Sequence, residues 1–144
     1  MRYLDYQEEK RLREELIVDA GGQCDCGESR MEFLTLSRSG TEVYCYNCLM
    51  IRKRQGREQP AFLKEFLKIY GSKCACCGEN NPAALTIDHI DNDGQFDRMN
   101  HGEGTIIKKA VLEPNFSEYQ ILCWSCNRAK SLNDGVCPHQ VKYI

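Results

Sequence analysis

The sequence predicts a small α+β fold that is stabilised by metal and built from two similar modules. Ten of the 144 residues are cysteines, and eight of these occur in four close pairs. Short apolar segments, with the periods of strands and of small amphipathic helices, separate the pairs. Modules of this size bury too little apolar surface to be stable without reinforcement. Cysteine pairs that bind metal would supply it.

The composition of the chain bounds its class. The first fifteen residues are rich in charge, reading MRYLDYQEEKRLREE, and no run of 18 apolar residues occurs. The sequence therefore indicates neither a secretory signal nor a membrane span. We expect a cytoplasmic protein whose cysteines stay reduced and bind metal instead of forming disulfides. Because the formal net charge is -2, binding to nucleic acid must rest on local basic patches.

Apolar periodicity and turn residues predict the elements. Leu12, Leu16 and Ile17 form the apolar face of an N-terminal helix that ends at Gly21-Gly22. A later helix runs from Ala61 and stops at Gly71. In order, the predicted elements are a helix over 5–20, strands at 33–36 and 43–45, a helix from Tyr46, a helix over 61–70, a strand at 85–87, a helix near 104–112, a strand over 118–122 and a helix over 124–132.

The second half of the chain carries two C-x-x-C pairs that flank a short strand. This is the spacing of a zinc knuckle, and four thiolates complete one tetrahedral zinc site. The strand, Leu85-Thr86-Ile87, leads into Asp88 and His89, which places a carboxylate beside an imidazole. Asn127 directly follows Cys126, the second cysteine of the later pair, on a predicted helix. The four predicted zinc ligands are Cys74, Cys77, Cys123 and Cys126.

The first half of the chain is predicted to be a degenerate copy of the second. With an offset of 51 residues, Cys26-Gly27-Glu28 aligns with Cys77-Gly78-Glu79, and Leu34-Thr35-Leu36 aligns with Leu85-Thr86-Ile87. The predicted modules cover residues 1–58, with the N-terminal helix, and residues 59–144. A second four-thiolate zinc site is expected in the first module. Its ligands are Cys24, Cys26, Cys45 and Cys48.

The two copies differ at their polar positions. Ser37-Arg38 in the first copy stands in place of Asp88-His89, and Leu49 stands in place of Asn127. Serine, arginine and leucine cannot assemble an oxygen-ligand site for a hard cation. We therefore expect the first module to be structural or to contact DNA.

Residues 62–139 resemble the HNH endonucleases, the ββα-metal nuclease family, in the form that carries two C-x-x-C pairs. Phage-encoded HNH proteins and small rare-cutting restriction enzymes are similar in layout, so a phage protein acting in its host cell is one expectation. The resemblance implies a metal-dependent endonuclease that hydrolyses DNA phosphodiester bonds. It implies that His89 is the general base. Asp88 and Asn127 would ligate one catalytic divalent ion, Mg²⁺ or Mn²⁺, as in HNN variants of the motif.

The resemblance has one departure. The middle asparagine of the motif falls at Glu118 in this chain. That asparagine braces the loop that carries the histidine, so Asn115, Asn92 or backbone groups are expected to substitute for it.

The predicted cofactors are two structural zinc ions and the catalytic divalent ion. The predicted partner is DNA, with a homodimer left open and no membrane. A basic cluster follows the first module's last cysteine, and further cations lie on the last helix. The candidate DNA-contacting residues are Arg52, Lys53, Arg54, Arg57, Arg128 and Lys130.

The alternative is a non-catalytic zinc module that binds nucleic acid or a partner protein, since zinc knuckles alone describe many small proteins. Cys76 and Cys137 remain after two zinc sites are filled. Cys137 with His139 could form half of another site, but free thiols are the expectation for both cysteines. His101 is expected to be a solvated histidine.

Overall fold

The computed structural model describes residues 5–55, 60–94, 99 and 103–140. Five α-helices and two antiparallel hairpins occupy these ranges. The elements are α1 (Tyr6–Asp19), β1 (Leu34–Leu36), β2 (Val43–Cys45), α2 (Tyr46–Arg54), α3 (Ala61–Tyr70), β3 (Leu85–His89), α4 (Glu103–Leu112), β4 (Tyr119–Cys123) and α5 (Trp124–Leu132). None of the helices in the described ranges combines the length and the apolar character that a bilayer crossing needs. Arg57, His101 and the predicted boundary at residues 58 and 59 lie outside the described residues.

The predicted helices are confirmed to within two residues at their ends. In α3, Leu63, Phe66 and Leu67 are buried, as its apolar stripe predicts. The helix stops at Gly71, whose φ of 106° belongs to a region that side chains with a Cβ rarely adopt.

The predicted apolar face of α1 is wrong for most of its residues. Ile17 is fully buried, but 56% of Leu16 and 38% of Leu12 remain exposed. The helical spacing of apolar residues predicts which side of a helix is apolar. How much of that side is buried depends on which other elements pack against it. Here α1 packs mainly against β1, and Arg13 donates a hydrogen bond to the Leu34 carbonyl oxygen.

The element bounds agree with the predicted internal repeat. A 3₁₀ turn precedes each hairpin, at Met31–Phe33 and at Pro82–Ala84, and these turns are 51 residues apart. The helices α2 and α5 both have nine residues and begin 78 residues apart. Each module is therefore a 3₁₀ turn, a two-stranded hairpin and a helix, and the second module has the longer insertion between its strands.

The two modules pack against each other by exchanging equivalent contacts. Helix α2 packs on the 3₁₀ turn of the second module, and α5 packs on the turn of the first. Asn47 and Ser125 occupy equivalent positions at the starts of these helices. The backbone N–H of Ser125 donates to Asn47 Oδ1 at 3.0 Å, and the backbone N–H of Asn47 donates to Ser125 Oγ at 3.3 Å. This reciprocal capping joins the helix N-termini.

The larger hydrophobic core lies in the second module but includes a residue from the first. Phe33, at the end of the first 3₁₀ turn, is fully buried among residues of α3, α4, β4 and α5. A smaller core surrounds Ile17, Leu34 and Val43. Because Phe33 crosses into the larger core, the first module contributes directly to the packing around β3 and β4.

Replacing Phe66 with Ala should lower the free energy of unfolding by about 3 to 5 kcal/mol, because it removes a fully buried ring that stacks on Tyr70 at 4.4 Å. Phe62→Ala is the matched control on the same helix, since 43% of Phe62 is exposed. Urea unfolding of the zinc-loaded protein measures both changes. Equal losses for the two variants would contradict the described packing of α3.

Candidate functional site

Two clusters of four cysteines lie at the starts of α2 and α5. In each cluster the four sulfur atoms all lie within 4.8 Å of one another. A zinc–sulfur bond of about 2.3 Å places the ligands of a tetrahedral site about 3.8 Å apart. Cys26 Sγ and Cys45 Sγ are 3.7 Å apart, as are Cys77 Sγ and Cys123 Sγ. The clusters are the two sets predicted from the sequence, and they have the dimensions of four-thiolate zinc sites.

Local hydrogen bonds shape both clusters in the same way. Cys45 and Cys123 are the N-cap residues of α2 and α5. Their sulfur atoms accept the backbone N–H of Cys48 and of Cys126, both at 3.4 Å. The other two cysteines of each cluster lie in a turn in which the chain changes direction at Gly27 or at Gly78, with φ of 94° and 80°. Helix N-termini and backbone N–H donors stabilise negative sulfur, so this environment favours the thiolates that bind metal.

The cysteines in these clusters have pKa values shifted in opposite directions. Burial raises the pKa of Cys45 to about 11. Hydrogen bonds from Cys123 and Cys126 instead hold the pKa of Cys74 well below its ordinary range. Four thiolates at this spacing repel one another, and burial adds to the cost of their charge. A divalent cation at the centre removes this conflict because it stabilises all four thiolates.

Cys76, Cys137 and His139 form a third group beside the second cluster. Their ligand atoms and that of Cys126 lie within 4.8 Å of one another. The sequence predicted free thiols for Cys76 and Cys137, which remain after two zinc sites are filled. The two residues lie 61 positions apart, and only the fold brings them together. The Cys137-x-His139 spacing was the one available signal.

Asp88 and Lys130 form a buried ion pair between β3 and α5. Lys130 Nζ lies 2.8 Å from Asp88 Oδ2, and the two side chains are 6% and 4% exposed. The same ammonium donates to the carbonyl oxygens of His89 at 2.6 Å and Ile90 at 3.0 Å. All three donors of the lysine are therefore used. The predicted phosphate contact of Lys130 is corrected: the residue faces the protein interior.

Asp88 is also held from the neighbouring strand. Gln120, its partner across the β3–β4 ladder, donates from Nε2 to Asp88 Oδ2 at 2.7 Å. Both contacts reach the same carboxylate oxygen, and a carboxylate can accept on either oxygen.

His89 ends strand β3 and lines a cleft of about 250 Å³ with Ile87, Arg54 and Trp124. Its imidazole lies so close to Gly94 that a methyl group on that residue would come within 2.4 Å of Nδ1. The ring also meets Tyr119 edge-on, with 5.0 Å between the centroids. These contacts fix the ring with its Nδ1 edge against the Gly94 backbone.

The loop after His89 is held by backbone hydrogen bonds and by Lys130. The Ile90 N–H donates to the Glu118 carbonyl oxygen at 2.9 Å, and the Asn92 N–H donates to the His89 carbonyl oxygen at 3.0 Å. Lys130 adds the two hydrogen bonds described above. Backbone groups were among the expected braces, and residue 92 contributes through its backbone N–H. Asn115 instead contacts the Glu118 side chain at 3.2 Å. The contribution of Lys130 was missed, because a lysine in a helix ordinarily faces solvent.

Asn127 joins α5 to the strand that carries Asp88 and His89. Its Nδ2 donates to the Ile87 carbonyl oxygen at 3.1 Å. This bond fixes the side chain across β3, with the amide oxygen remaining for another ligand. The three predicted catalytic residues therefore lie within one hairpin–helix unit, on adjacent parts of β3 and α5.

The equivalent surface of the first module is basic. A shallow cleft there is lined by three cations, Arg38, Arg52 and Lys53, and by one acidic residue, Glu42. Arg52 is the counterpart of Lys130, but it is exposed and hydrogen-bonds the Tyr44 hydroxyl. Lys53 is exposed as well. Two of the predicted DNA-contacting cations thus flank a solvent-accessible cleft, together with Arg38.

Arg54 and Arg128 have different surroundings. The Arg54 guanidinium lies 5.5 Å from the centre of the Trp124 ring and donates to the Ala83 carbonyl oxygen at 3.3 Å, so it bridges the modules. Arg128 is exposed, but it lines a cleft beside α1 that contains the acidic residues Glu9 and Glu14. Neither residue extends the basic surface of the first module.

Comparisons with known proteins do not identify this arrangement. No protein-family model matches the chain, and searches of curated proteins and of solved structures return no match. Any functional conclusion therefore rests on the geometry and chemistry of the chain itself.

Replacing Lys130 with Met should lower the free energy of unfolding by about 3 to 5 kcal/mol, because it leaves the buried Asp88 carboxylate without its cation. The double variant Lys130→Met with Asp88→Asn should recover part of this loss. Arg52→Met, the equivalent change in the first module, should cost less than about 1 kcal/mol because Arg52 is exposed. Chemical denaturation measures all three. Similar losses at Lys130 and Arg52 would refute the buried pair.

Proposed function

We propose that this protein is a zinc-stabilised, metal-dependent DNA endonuclease with an HNH-type site of the HNN variant. The observation that carries the proposal is the arrangement around β3. His89 lines a cleft at the strand end. Asp88 precedes it on β3 and is held by Gln120 and Lys130, and Asn127 on α5 is held by the Ile87 carbonyl of the same strand. The first module has the same backbone unit without these three residues, so the unit does not require them for folding.

Each four-cysteine cluster would hold one structural zinc ion. Support comes from the sulfur separations and from the two thiolate-capped helices. Zinc sites of this kind contribute on the order of 10 to 16 kcal/mol to the folding of small peptides. That exceeds or equals the net stability of an ordinary domain, so both modules should depend on zinc.

His89 would act as the general base. Its Nδ1 edge lies beside Gly94, and a nitrogen of the ring would take a proton from water. The water oxygen attacks the phosphorus as the proton leaves, and the bond from phosphorus to the leaving sugar oxygen breaks. Tyr119 supports the ring edge-on, and burial raises the pKa of this tyrosine to about 12, so its hydroxyl stays neutral. The arrangement holds the base in one orientation.

Asp88 Oδ1 and the Asn127 amide oxygen suit a small divalent cation, because both are hard oxygen ligands. When bound, Mg²⁺ or Mn²⁺ would stabilise the negative charge that develops on the phosphate and the leaving oxygen. Lys130 neutralises part of the Asp88 charge. The cation should therefore bind weakly to the protein alone and more tightly when the DNA phosphate supplies further ligands.

DNA would be held in part by the basic cleft of the first module. Arg38, Arg52 and Lys53 line it, and Arg52 and Lys53 are exposed. Since the net charge of the chain is negative, this local concentration of cations is what makes contact with phosphates favourable.

The second candidate is a zinc module that binds nucleic acid without cutting it. The observation that favours it is the first module, which keeps its fold and its cysteine cluster with Ser37, Arg38 and Leu49 in place of the polar residues. Under this alternative the basic cleft is functional, and the polar residues on β3 and α5 only pack the second module.

His89→Ala should reduce the single-turnover cleavage rate about a hundredfold to ten-thousandfold, because the side chain removes a proton only in the transition state. Zinc content and DNA affinity should stay close to those of the unmodified protein. Ser37→Ala, at the position equivalent to Asp88, is the matched control and should leave the rate unchanged. Plasmid and oligonucleotide cleavage in Mg²⁺ or Mn²⁺, with an EDTA blank, measures the rates.

Two results would reject the nuclease proposal. One is an unchanged rate in His89→Ala. The other is metal-loaded protein that binds DNA but cuts none of a broad set of sequences, which favours the binding module.

Replacing both Arg52 and Lys53 with Ala should weaken DNA binding and flatten its salt dependence. Each lost phosphate contact removes about 0.9 from the slope of log affinity against log salt concentration. The control is the pair Lys64→Ala and Lys68→Ala, which removes the same charge from the exposed side of α3. Fluorescence anisotropy over a salt series measures both. If the two double variants have the same slope, the first-module cleft does not contact DNA.

A further inference from the structure

A compact group of four metal-ligating side chains lies next to the second cysteine cluster. His139 Nδ1 is 3.3 Å from Cys126 Sγ and 3.5 Å from Cys137 Sγ. Cys76 Sγ completes the group, with all four ligand atoms within 4.8 Å of one another. Cys126 belongs to this group and also to the four-cysteine cluster.

We propose that the second module holds two zinc ions in a binuclear centre, with the Cys126 thiolate bridging them. One ion is bound by Cys74, Cys77, Cys123 and Cys126, and the other by Cys76, Cys126, Cys137 and His139. This inference concerns metal content alone and does not depend on nuclease activity.

The distances fit a second tetrahedral ion. With zinc bonds of about 2.3 Å to sulfur and about 2.0 to 2.1 Å to nitrogen, a nitrogen and a sulfur ligand lie about 3.5 Å apart. The separations of His139 Nδ1 from its two sulfur neighbours, 3.3 and 3.5 Å, match this value. A single N–H bond can point well at only one of two sulfur atoms, so hydrogen bonding does not explain both short distances equally. A shared cation does.

The backbone after α5 holds Cys137 and His139 in place. The Gly135 N–H donates to the Lys130 carbonyl oxygen at 3.0 Å, which turns the chain back at the helix end. A 3₁₀ turn over Pro138–Gln140 follows, with the Gln140 N–H donating to the Cys137 carbonyl oxygen at 2.8 Å. This turn places residues 137 and 139 near the same point beside Cys126.

Contacts from the first module support the same position. The His139 ring stacks on Phe33, with 4.7 Å between centroids and 21° between planes. Cys137 is 1% exposed, and Arg30, whose guanidinium lies 4.5 Å from the centre of the Phe33 ring, interacts electrostatically with Cys126. The guanidinium would offset part of the negative charge of six thiolates around two divalent ions. His139 itself remains exposed on one side, which gives the ion a route of entry.

The first module offers an internal comparison. Its cysteine set consists of Cys24, Cys26, Cys45 and Cys48, and within the described residues no third group adjoins it. The extra cysteine in the K-C-A-C-C-G turn, Cys76, and the C-P-H segment after α5 lie in the second module only. The additional ion therefore belongs to the second module, and the whole chain should bind three zinc ions.

Native mass spectrometry of the full-length, zinc-saturated protein tests this count. The unmodified chain should retain three zinc ions, and both His139→Ala and Cys137→Ser should retain two. His101→Ala is the matched control for the loss of a histidine and should retain three. Circular dichroism checks that the variants keep their helices, which is expected because the four-cysteine clusters are unchanged.

The bridge has its own test in ¹¹³Cd NMR of the cadmium-substituted protein. Two of three cadmium resonances should split each other through the shared Cys126 sulfur, and the third should be a single line. Two zinc ions in the unmodified, zinc-saturated chain would overturn the proposal even if the variants failed to fold. Three cadmium resonances without mutual splitting would overturn the bridging role of Cys126.

Discussion

Each cysteine cluster brings two cysteines from the turn before a hairpin next to two at the start of the following helix, where one metal ion could bind all four. This constraint determines the rest of the structure, because three-residue and five-residue strands cannot form a stable sheet alone. The sulfur atoms of Cys45 and Cys123 also cap their helices, so one group of atoms fixes both the hairpin and the helix direction. Helix α5 then packs across the end of β3, where Lys130 contacts Asp88 and His89.

The two modules share one backbone arrangement but place different polar residues at equivalent positions of their helices. In the second module Lys130 enters the interior and joins Asp88 to two backbone carbonyls. In the first module the equivalent Arg52 stays in solvent beside Arg38 and Lys53. The buried pair rigidifies the strand end that carries His89, whereas the exposed cations leave a surface that suits phosphate. One backbone unit thus supports two chemical environments.

Much of the fold was predictable because its signals are local. Glycine stops such as Gly71, the apolar period of α3 and the cysteine spacings each act within a few residues, and the helix bounds agree with them. The internal repeat was also visible in the sequence, and the 3₁₀ turns and helices follow its offsets. The coverage of α1 was not predictable. Leu16 has the right period for burial, but 56% of it stays exposed because no element among the described residues covers it.

The sequence by itself determined the two four-cysteine sets and the order Asp88, His89 and Asn127, because zinc knuckles and strand ends are short-range patterns. The tertiary structure alone decided the burial of Lys130 and the meeting of Cys76, Cys137 and His139 with Cys126. Lys130 contacts residues 40 to 42 positions away, and Cys76 lies 50 positions before Cys126. The contacts depend on how α5 packs across β3 and on where the chain turns after it. Residue spacing does not predict contacts of this kind. Nothing in the sequence around Lys130 distinguishes it from a solvent-exposed helical lysine, and its burial is decided by the face that α5 packs against β3.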